Sequence, residues 1–488
     1  MVSSEASPFA HTGGLGDVLG ALPAALARVG EEVAVLLPLY RKSAVSSPHL
    51  VYESLQFALG SHRYSANIFE QARQGVRYWF VQIPELYDRD GLYGEHGQDY
   101  PDNHLRFGAL CRAALGIARY VFAPEIIHCH DWPAALLPVL LKDTFKYHPA
   151  YLGIKTVLTI HNLGYQGLCP RSALADLGLP DRLFRPDLLE FQGSVNILKG
   201  GLIFSDIVST VSPRYAQEIQ TAPFGFGLDA LLRSRGDALV GILNGADYDS
   251  WDPATDRQIP ENFDRLHLEG KLASKRALME QAGLPEDRLD KPLIGVVSRL
   301  ADQKGFDLLM EVSSELVRED LSLVVLGSGE ERFEDFFRDL ASTYPDRVAV
   351  EIGFEEGLAH KIEAGADMFL MPSHYEPCGL NQIYSMRYGT LPVVRATGGL
   401  DDTVDEETGF KFTGDSGVEL LECIRGALRV YGTPRWREMM DAAMLRSFSW
   451  ESSAAEYARL YRRLTGNRRP ANVAGRGVNQ NARNVIKR

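Results

Sequence analysis

Short apolar runs rich in β-branched residues, each followed by a loop and usually a helix-like segment, recur along this chain in two separate series. The first series lies at residues 31–40, 125–131, 155–162, 206–212 and 239–245. The second series lies at residues 292–300, 321–329, 348–354, 368–373 and 391–396. Continuous apolar strands are typical of a parallel sheet that is covered by helices on both faces. The sequence therefore predicts an α/β fold with two Rossmann-like domains, each built on a doubly wound parallel sheet.

A polar, proline-bearing stretch, "DYDSWDPATDRQIPENFD", separates the two series. It predicts a hinge at residues 246–265, between an N-terminal domain at residues 1–245 and a C-terminal domain at residues 266–446. Residues 447–466 repeat aromatic and apolar side chains at helical spacing, which predicts a helix that docks on a domain. Residues 467–488 carry basic but no acidic side chains among Gly, Asn and Pro, and we expect a disordered basic tail there.

The charge of the chain limits the partners that it can attract. Its formal net charge of −13 gives no broad attraction for nucleic acid or for an anionic membrane. No apolar run approaches the roughly 20 residues that span a bilayer. We therefore expect a cytoplasmic protein that binds neither nucleic acid nor membrane and meets an anionic ligand with a few local cations.

Several common catalytic motifs do not occur in the sequence. The five cysteines are scattered without a C-x-x-C pair, so neither a disulfide framework nor a zinc site is indicated. There is no G-x-x-x-x-G-K-[ST] loop, H-E-x-x-H helix or G-x-S-x-G elbow. Nucleotide hydrolysis, zinc proteolysis and serine hydrolysis therefore lose their usual sequence support, and we expect no metal cofactor.

Polar side chains follow the predicted strands, where ligands bind in open parallel sheets. They are His130, Asp131, Trp132, His161, Asn162, Asn244, Asp247, Arg299, Lys304 and Glu376. Arg299 and Lys304 suit a diphosphate, and Glu376 precedes a predicted helix whose first N–H groups favour an anion. Each has a plainer interpretation: His161 could be a core histidine, and either cation alone could be a solvated surface residue.

The stretch "HTGGLGD" at residues 11–17 concentrates three glycines between a histidine and an aspartate. Such a loop can hold a ligand or merely turn the chain. It lacks the dinucleotide-binding pattern G-x-G-x-x-G, because Leu19 stands where the third glycine would be. Nicotinamide binding therefore has weak support from this loop.

Long blocks of the sequence resemble the family of bacterial glycogen synthase and plant starch synthase. They include "SSEASPFAHTGGLGDVLGALPAALA", "HCHDW", "TIHNLGYQG", "GILNGADYDSWDP", "SRLADQKGFDLL" and "HYEPCGLNQIYSMRYGTLPVVRATGGLDDTV", in order from about residue 3 to about residue 463. The resemblance implies the GT-B architecture, in which two Rossmann-like domains face each other across a cleft. It also implies a retaining glucosyltransferase that moves glucose from ADP-glucose onto the non-reducing end of an α-1,4-glucan. Many related transferases carry a second Glu eight residues after the first, and Tyr384 at that position favours the glycogen and starch synthase branch.

The resemblance also implies roles for individual residues. The catalytic group is Glu376, His161, Arg299 and Lys304. The donor-binding group is His11, Gly13, Gly14, Phe354, Cys378, Gly379, Leu380, Gly398 and Gly399. The group near the sugars and the acceptor is Asp17, Asp131, Trp132, Asn162, Asn244 and Gln303. Arg299 and Lys304 would neutralise the departing ADP, Glu376 would hold glucose hydroxyls, and Phe354 would stack on adenine.

Two departures from the family pattern leave an alternative open. His11 stands where the family has a lysine, so a titratable group replaces a permanent cation. Only Met1 and Val2 precede "SSE", so either the chain begins late or its first strand is short. A catalytically weak or regulatory homologue that binds glucan or nucleotide sugar is therefore the alternative to an active synthase. The resemblance implies no pyridoxal phosphate, and the sequence leaves the oligomeric state open.

Overall fold

Two α/β domains, each with a largely parallel sheet between helices, make up the computed structural model, which describes residues 1–95 and 97–466. The predicted fold class is confirmed. The predicted tail at residues 467–488 lies outside the described residues. Within the described part of the chain, no helix is both long and apolar enough to cross a membrane.

The N-terminal domain is built on one twisted sheet in two four-stranded halves. Across one half the strands follow the order His49–Leu59, His62–Arg73, Val76–Gln82 and Ala34–Pro38. Across the other they follow the order Ile126–His130, Lys155–Ile160, Ile207–Thr210 and Leu239–Gly241. The helices with six or more residues are Gly14–Arg28, Asn103–Tyr120, Ile197–Phe204, Pro213–Glu218 and Asp229–Ser234.

The first residues of the chain join the two halves of this sheet. The backbone N–H of Val2 donates to the His128 carbonyl at 2.8 Å, and the N–H of His130 donates to the Val2 carbonyl at 3.1 Å. On the other side, the N–H of Leu36 donates to the Met1 carbonyl at 2.9 Å. Residues 1–3 thus serve as a short central strand that leads directly into the glycine loop.

Three strands between residues 49 and 82 were not predicted from the sequence. Two of their pairings are antiparallel, so this edge of the N-terminal sheet is mixed. The turn between the second and third strands has positive φ at Gln74 (49°) and Gly75 (78°), which matches the tight hairpin turns of antiparallel strands. The first two of these strands are half exposed and mix polar with apolar residues, so they lack the continuous apolar runs of the buried strands. The third strand, Val76–Gln82, is largely buried and does contain an apolar run, which was not recognised in the sequence.

The C-terminal domain has a six-stranded sheet in which all pairings are parallel. The strand order is Val348–Ile352, Ser322–Gly327, Leu293–Val297, Met368–Met371, Leu391–Arg395 and Phe410–Phe412. The helices with six or more residues are Glu269–Gln281, Phe306–Glu311, Glu331–Thr343, Glu356–Gly365, Asn381–Arg387, Gly398–Thr403, Gly417–Val430 and Pro434–Leu445.

Most of the segment between the domains packs on the C-terminal domain. The indole of Trp251 lies between the rings of His360 and Tyr384, with centroid distances of 3.7 and 4.6 Å. Asp256 is buried and accepts a hydrogen bond from Nδ1 of His360 at 2.8 Å. The chain therefore passes between the domains at the start of the predicted 246–265 segment.

The last described helix, Trp450–Thr465, returns to the N-terminal domain. Its buried face includes Trp450 and Tyr457, and the hydroxyl of Ser453 donates to the Leu243 carbonyl at 2.5 Å. Where the chain crosses back, the N–H of Ala246 donates to the Phe448 carbonyl at 2.7 Å. The two crossings between the domains therefore lie side by side.

Candidate active site

The predicted site residues of the two domains meet across the cleft. Nδ2 of Asn162 lies 3.5 Å from Oε1 of Gln303, and Nη1 of Arg299 lies 3.5 Å from the hydroxyl of Tyr165. Beside them, the ring of Phe226 meets that of Tyr375 edge-on at 5.4 Å. These contacts join strand-end loops of both sheets, which is where a ligand between two such domains would lie.

Lys304 and Glu376 form the tightest charged contact of the site. Nζ of Lys304 lies 2.6 Å from Oε2 of Glu376, and the Ser373 hydroxyl donates to the same oxygen at 3.2 Å. Glu376 is only 5% exposed. Gly305 makes the contact possible, because its φ is 69° and a Cβ there would lie 2.1 Å from the Pro372 carbonyl.

Free backbone donors adjoin this pair. Among the described residues, the N–H groups of Cys378, Gly379 and Leu380 have no hydrogen-bond acceptor. They precede the helix Asn381–Arg387, and Gly379 has a φ of 71°. Arg299 is exposed on the neighbouring loop. Two cations and three unused N–H groups therefore converge on one region, which favours an anionic ligand.

Gly398 and Gly399 are engaged within the protein. The N–H of Gly398 donates to both carboxylate oxygens of Glu218 at 3.0 Å, and the N–H of Gly399 donates to the Glu376 carbonyl at 3.1 Å. A Cβ on Gly398 would lie 1.9 Å from the Glu376 carbonyl oxygen, and one on Gly399 would lie 2.1 Å from that of Cys378. These glycines allow the Glu376 loop to pack closely, and their donor-binding role stays a prediction.

Glu5 fixes the backbone of the glycine loop, and the space beside Gly13 and Gly14 is open. Glu5 is buried and accepts hydrogen bonds from the N–H and hydroxyl of Thr12, at 2.5 and 2.8 Å. A Cβ on Gly13 or Gly14 would meet no atom within 4 Å, so packing against the described residues does not require glycine there. Open space beside a rigidly held backbone fits close approach of a ligand.

His11 has a charged partner, Asp17, in this loop. Its Nε2 lies 3.0 Å from Oδ1 of Asp17, in the first turn of the following helix. The hydrogen bond to Asp17 is the main reason why the pKa of His11 is raised above 6.5. The loop therefore retains a cation to a higher pH than an isolated histidine would.

His161 and Asp131 form a linked pair at the ends of neighbouring strands. Oδ1 of Asp131 accepts a hydrogen bond from the backbone N–H of His161 at 2.7 Å. Burial raises the pKa of Asp131 to about 7 and lowers that of His161 to about 3. Asp131 also has a φ of 53°, which is rare outside glycine and is common at functional sites.

The remaining predicted residues differ in their surroundings. Oδ1 of Asn244 is buried without a hydrogen-bond partner among the described residues, and the sugar-binding role of Asn244 stays a prediction. Trp132 packs edge-on against Phe107 at 4.9 Å and covers Gly167. Phe354 is 77% exposed after the strand Val348–Ile352. The sugar-binding role of Trp132 and the adenine-stacking role of Phe354 stay predictions.

A candidate metal site is not formed by the protein side chains in the described ranges, 1–95 and 97–466, since no three His, Cys, Asp or Glu residues cluster there.

Comparisons with known proteins identify the family. A family model described as starch synthase catalytic domain matches residues 1–234, and one described as glycosyl transferases group 1 matches residues 280–429. Glycogen synthase from Koribacter versatilis (strain Ellin345) is 48% identical over 480 residues, which cover 96% of this chain and 99% of that protein. Glycogen synthase from Geobacillus stearothermophilus is 44% identical over 94% of this chain and 96% of that protein.

This chain belongs to the glycogen synthase family. A solved structure of the catalytic domain of starch synthase IV from Arabidopsis thaliana, bound to ADP and acarbose, is 34% identical with a TM-score of 0.87. The match covers 95% of this chain and 98% of that one. Sucrose-phosphate synthase from Thermosynechococcus elongatus, at 18% identity and a TM-score of 0.60 over 96% and 98% of the two chains, shares the fold. The GT-B architecture is therefore confirmed.

The structure places several residues in the site of this glycogen synthase family member that were not predicted from the sequence. Glu5 holds the glycine loop, Tyr165 and Tyr375 line the cleft, and Glu218 joins the domains at Gly398. "SSE" stands directly before the loop, which could have pointed to Glu5. The contacts of Glu218 join segments about 180 residues apart, so no local pattern could have revealed them.

Proposed function

We propose that this chain transfers glucose from ADP-glucose to the non-reducing end of an α-1,4-glucan, with retention of the anomeric configuration. The observation that carries the proposal is the Lys304–Glu376 pair, 2.6 Å apart, beside Arg299 and three free N–H groups at the cleft. A glycosyl donor with a diphosphate leaving group offers hydroxyls to a carboxylate and negative charge to cations. The full-length similarity to glycogen synthases supports the same chemistry.

The leaving group makes the largest electrostatic demand on the site. Negative charge grows on the diphosphate as the bond to the sugar breaks, and fixed cations and N–H groups stabilise it without reorganising. Lys304 is 18% exposed at its side chain, so its charge is only partly screened by water. We assign Lys304, Arg299 and the N–H groups at Cys378, Gly379 and Leu380 to the diphosphate.

Glu376 acts as a hydroxyl acceptor in this proposal. Its carboxylate is buried and already paired with Lys304 and Ser373, so its remaining lone pairs suit a sugar hydroxyl better than a covalent bond to carbon. Asn244 is the second polar group, by resemblance; its Oδ1 is buried and unpaired in the described part of the chain, so it would accept from a sugar hydroxyl once ligand binding exposes it. The two groups would fix the glucosyl ring while its bond to phosphate breaks.

Retention is assigned to front-side attack, by resemblance to the family. A double displacement needs an ionised carboxylate close to the anomeric carbon on the face away from the leaving group. Asp131 is a poor candidate, because its pKa of about 7 leaves about half of it protonated at pH 7 and its Oδ1 accepts a hydrogen bond from the His161 N–H. In front-side attack the acceptor hydroxyl gives its proton to the departing phosphate, which Arg299 and Lys304 hold in place.

Parallel assays with radiolabelled ADP-glucose and UDP-glucose, with glycogen as acceptor, test the proposal. We expect transfer from ADP-glucose and a product whose new linkages are cleaved by an α-1,4-specific amylase. Arg299→Ala should lose most activity, whereas Arg338→Ala, which removes an exposed arginine paired with Glu334, should keep it. Transfer from UDP-glucose alone would refute the donor assignment, and no transfer from either would refute the function.

A further inference from the structure

A row of three histidine side chains leads from the cleft into the N-terminal sheet. Nε2 of His161 lies 3.0 Å from Nδ1 of His130. The ring of His130 stacks on that of His128, with centroids 4.1 Å apart. His128 is itself fixed, since its Nδ1 lies 2.7 Å from the Tyr461 hydroxyl and its Nε2 lies 2.5 Å from the Thr159 hydroxyl. His130 is therefore held between a fixed ring and the predicted catalytic histidine.

In the contact between Nδ1 of His130 and Nε2 of His161, only one of the two nitrogen atoms carries a hydrogen. Both imidazoles are neutral at physiological pH, because burial lowers the pKa of His161 to about 3 and that of His130 well below 6.5. A neutral imidazole has one N–H and one bare nitrogen. One ring must therefore donate the hydrogen bond and the other must accept it.

The surroundings of Nε2 of His130 distinguish the two arrangements. This atom is buried without a hydrogen-bond partner in the part of the chain that the structure describes. If His161 donated, the hydrogen of His130 would sit on Nε2 as a buried N–H with no acceptor. Buried N–H groups without an acceptor are rarer in folded proteins than acceptors with an unused lone pair. Donation by Nδ1 of His130 avoids that unpaired N–H group.

We propose that His130 is a positioning residue that donates its Nδ1–H to Nε2 of His161 and so keeps the hydrogen of His161 on Nδ1. Nδ1 of His161 has no hydrogen-bond partner among the described residues, and the His161 residue is only partly buried. His161 therefore presents an N–H donor to the substrate. That this donor meets an oxygen of the glucosyl group rests on the proposed function.

Imidazole nitrogen NMR tests the tautomer directly. In the full chain labelled with 15N-histidine, long-range proton–nitrogen correlations distinguish a bare ring nitrogen from one that carries hydrogen. The signals that disappear in His161→Gln belong to His161. We expect hydrogen on Nδ1 of His161 and on Nδ1 of His130. Hydrogen on Nε2 of His161 would overturn the proposal, whatever reaction the chain catalyses.

Kinetics of matched variants test the positioning role. His130→Leu removes the donor, whereas His130→Asn keeps an N–H group on Cγ, where Nδ1 stood. We expect kcat to fall about tenfold in the leucine variant, the scale of one lost hydrogen bond, with KM for glycogen unchanged. The asparagine variant should recover to within about threefold of wild type. These values require an active wild type, so failure of the proposed function would show in the wild-type assay and leave the NMR result standing.

His128→Leu is the control for packing. It removes an imidazole from the same stack without touching His161, so it should lower stability but leave kcat near that of wild type. An equal loss of kcat in His128→Leu and His130→Leu, with no recovery in His130→Asn, would show that His130 only fills space.

Discussion

Replacing Lys304 by methionine removes the cation 2.6 Å from Glu376 while keeping most of the side-chain length. In the proposed reaction the same cation faces the diphosphate as it departs. Loss of one preorganised charge contact to a developing anion typically lowers kcat by about 100-fold or more. We therefore expect kcat of Lys304→Met to fall by at least that factor.

The structure also predicts a cost in stability, where the sequence alone gave no reason to expect one. Glu376 is 5% exposed, so its carboxylate would remain buried without its cation. Breaking a fully buried ion pair costs about 3–5 kcal/mol. Lys304 is 18% exposed and Ser373 still donates to Glu376, so we expect about 2–3 kcal/mol here.

A double-mutant cycle separates the two effects. Urea unfolding and initial rates with ADP-glucose would be measured for Lys304→Met, Glu376→Gln and the double variant. The double variant should regain most of the stability, because the buried charge is gone, and none of the activity. Arg338→Ala is the matched surface control and should stay within about 0.5 kcal/mol of wild type. Wild-type turnover in Lys304→Met, or equal stability of Lys304→Met and wild type, would refute the reasoning.

Two further predictions concern the donor site, and a third concerns metal dependence. The hydrogen bond to Asp17 raises the pKa of His11, so KM for ADP-glucose should rise as the pH increases through that raised pKa and His11 loses its charge. His11→Lys should make KM nearly independent of pH over this range. Identical pH profiles in the variant and the wild type would exclude His11 from donor binding. Phe354→Ala should raise KM for ADP-glucose with little change in kcat. The expected rise is about tenfold, because that is the scale of one base–aromatic stack. An unchanged KM would exclude the stack. Activity should persist in EDTA, because the described residues form no cluster of metal-binding side chains; loss in EDTA with recovery in Mg²⁺ would contradict this.

The buried strands could be predicted because their residues form continuous apolar runs. The predicted runs at residues 155–162 and 292–300 contain the buried strands Lys155–Ile160 and Leu293–Val297. The hairpin at residues 49–73 could not be found in this way, because one of its faces is solvated and its apolar residues are interrupted by polar ones. Short apolar runs thus identify strands that are covered on both faces.

The sequence predicted which residues belong to the candidate site, but it did not predict most of the contacts between them. Strand ends and motif resemblance pointed to Lys304 and Glu376, and the structure brings them to 2.6 Å. The partners of His161 and Gly398 were not predictable, because His130 and Glu218 reach them from other elements. Gly398 was singled out in the sequence for donor binding. The close approach of the Glu376 carbonyl is enough to require glycine at this position, whether or not a ligand binds there.

The paired crossings at Ala246 and Ser449 have a mechanical consequence. The two passing segments are bonded to each other, with the N–H of Ala246 donating to the Phe448 carbonyl. Gly245 is packed against Trp450, where a Cβ would lie 2.6 Å from the backbone of that residue. Any change in the angle between the two domains would therefore have to bend the chain at these residues, and a protease cut in one crossing would leave the other as a covalent link.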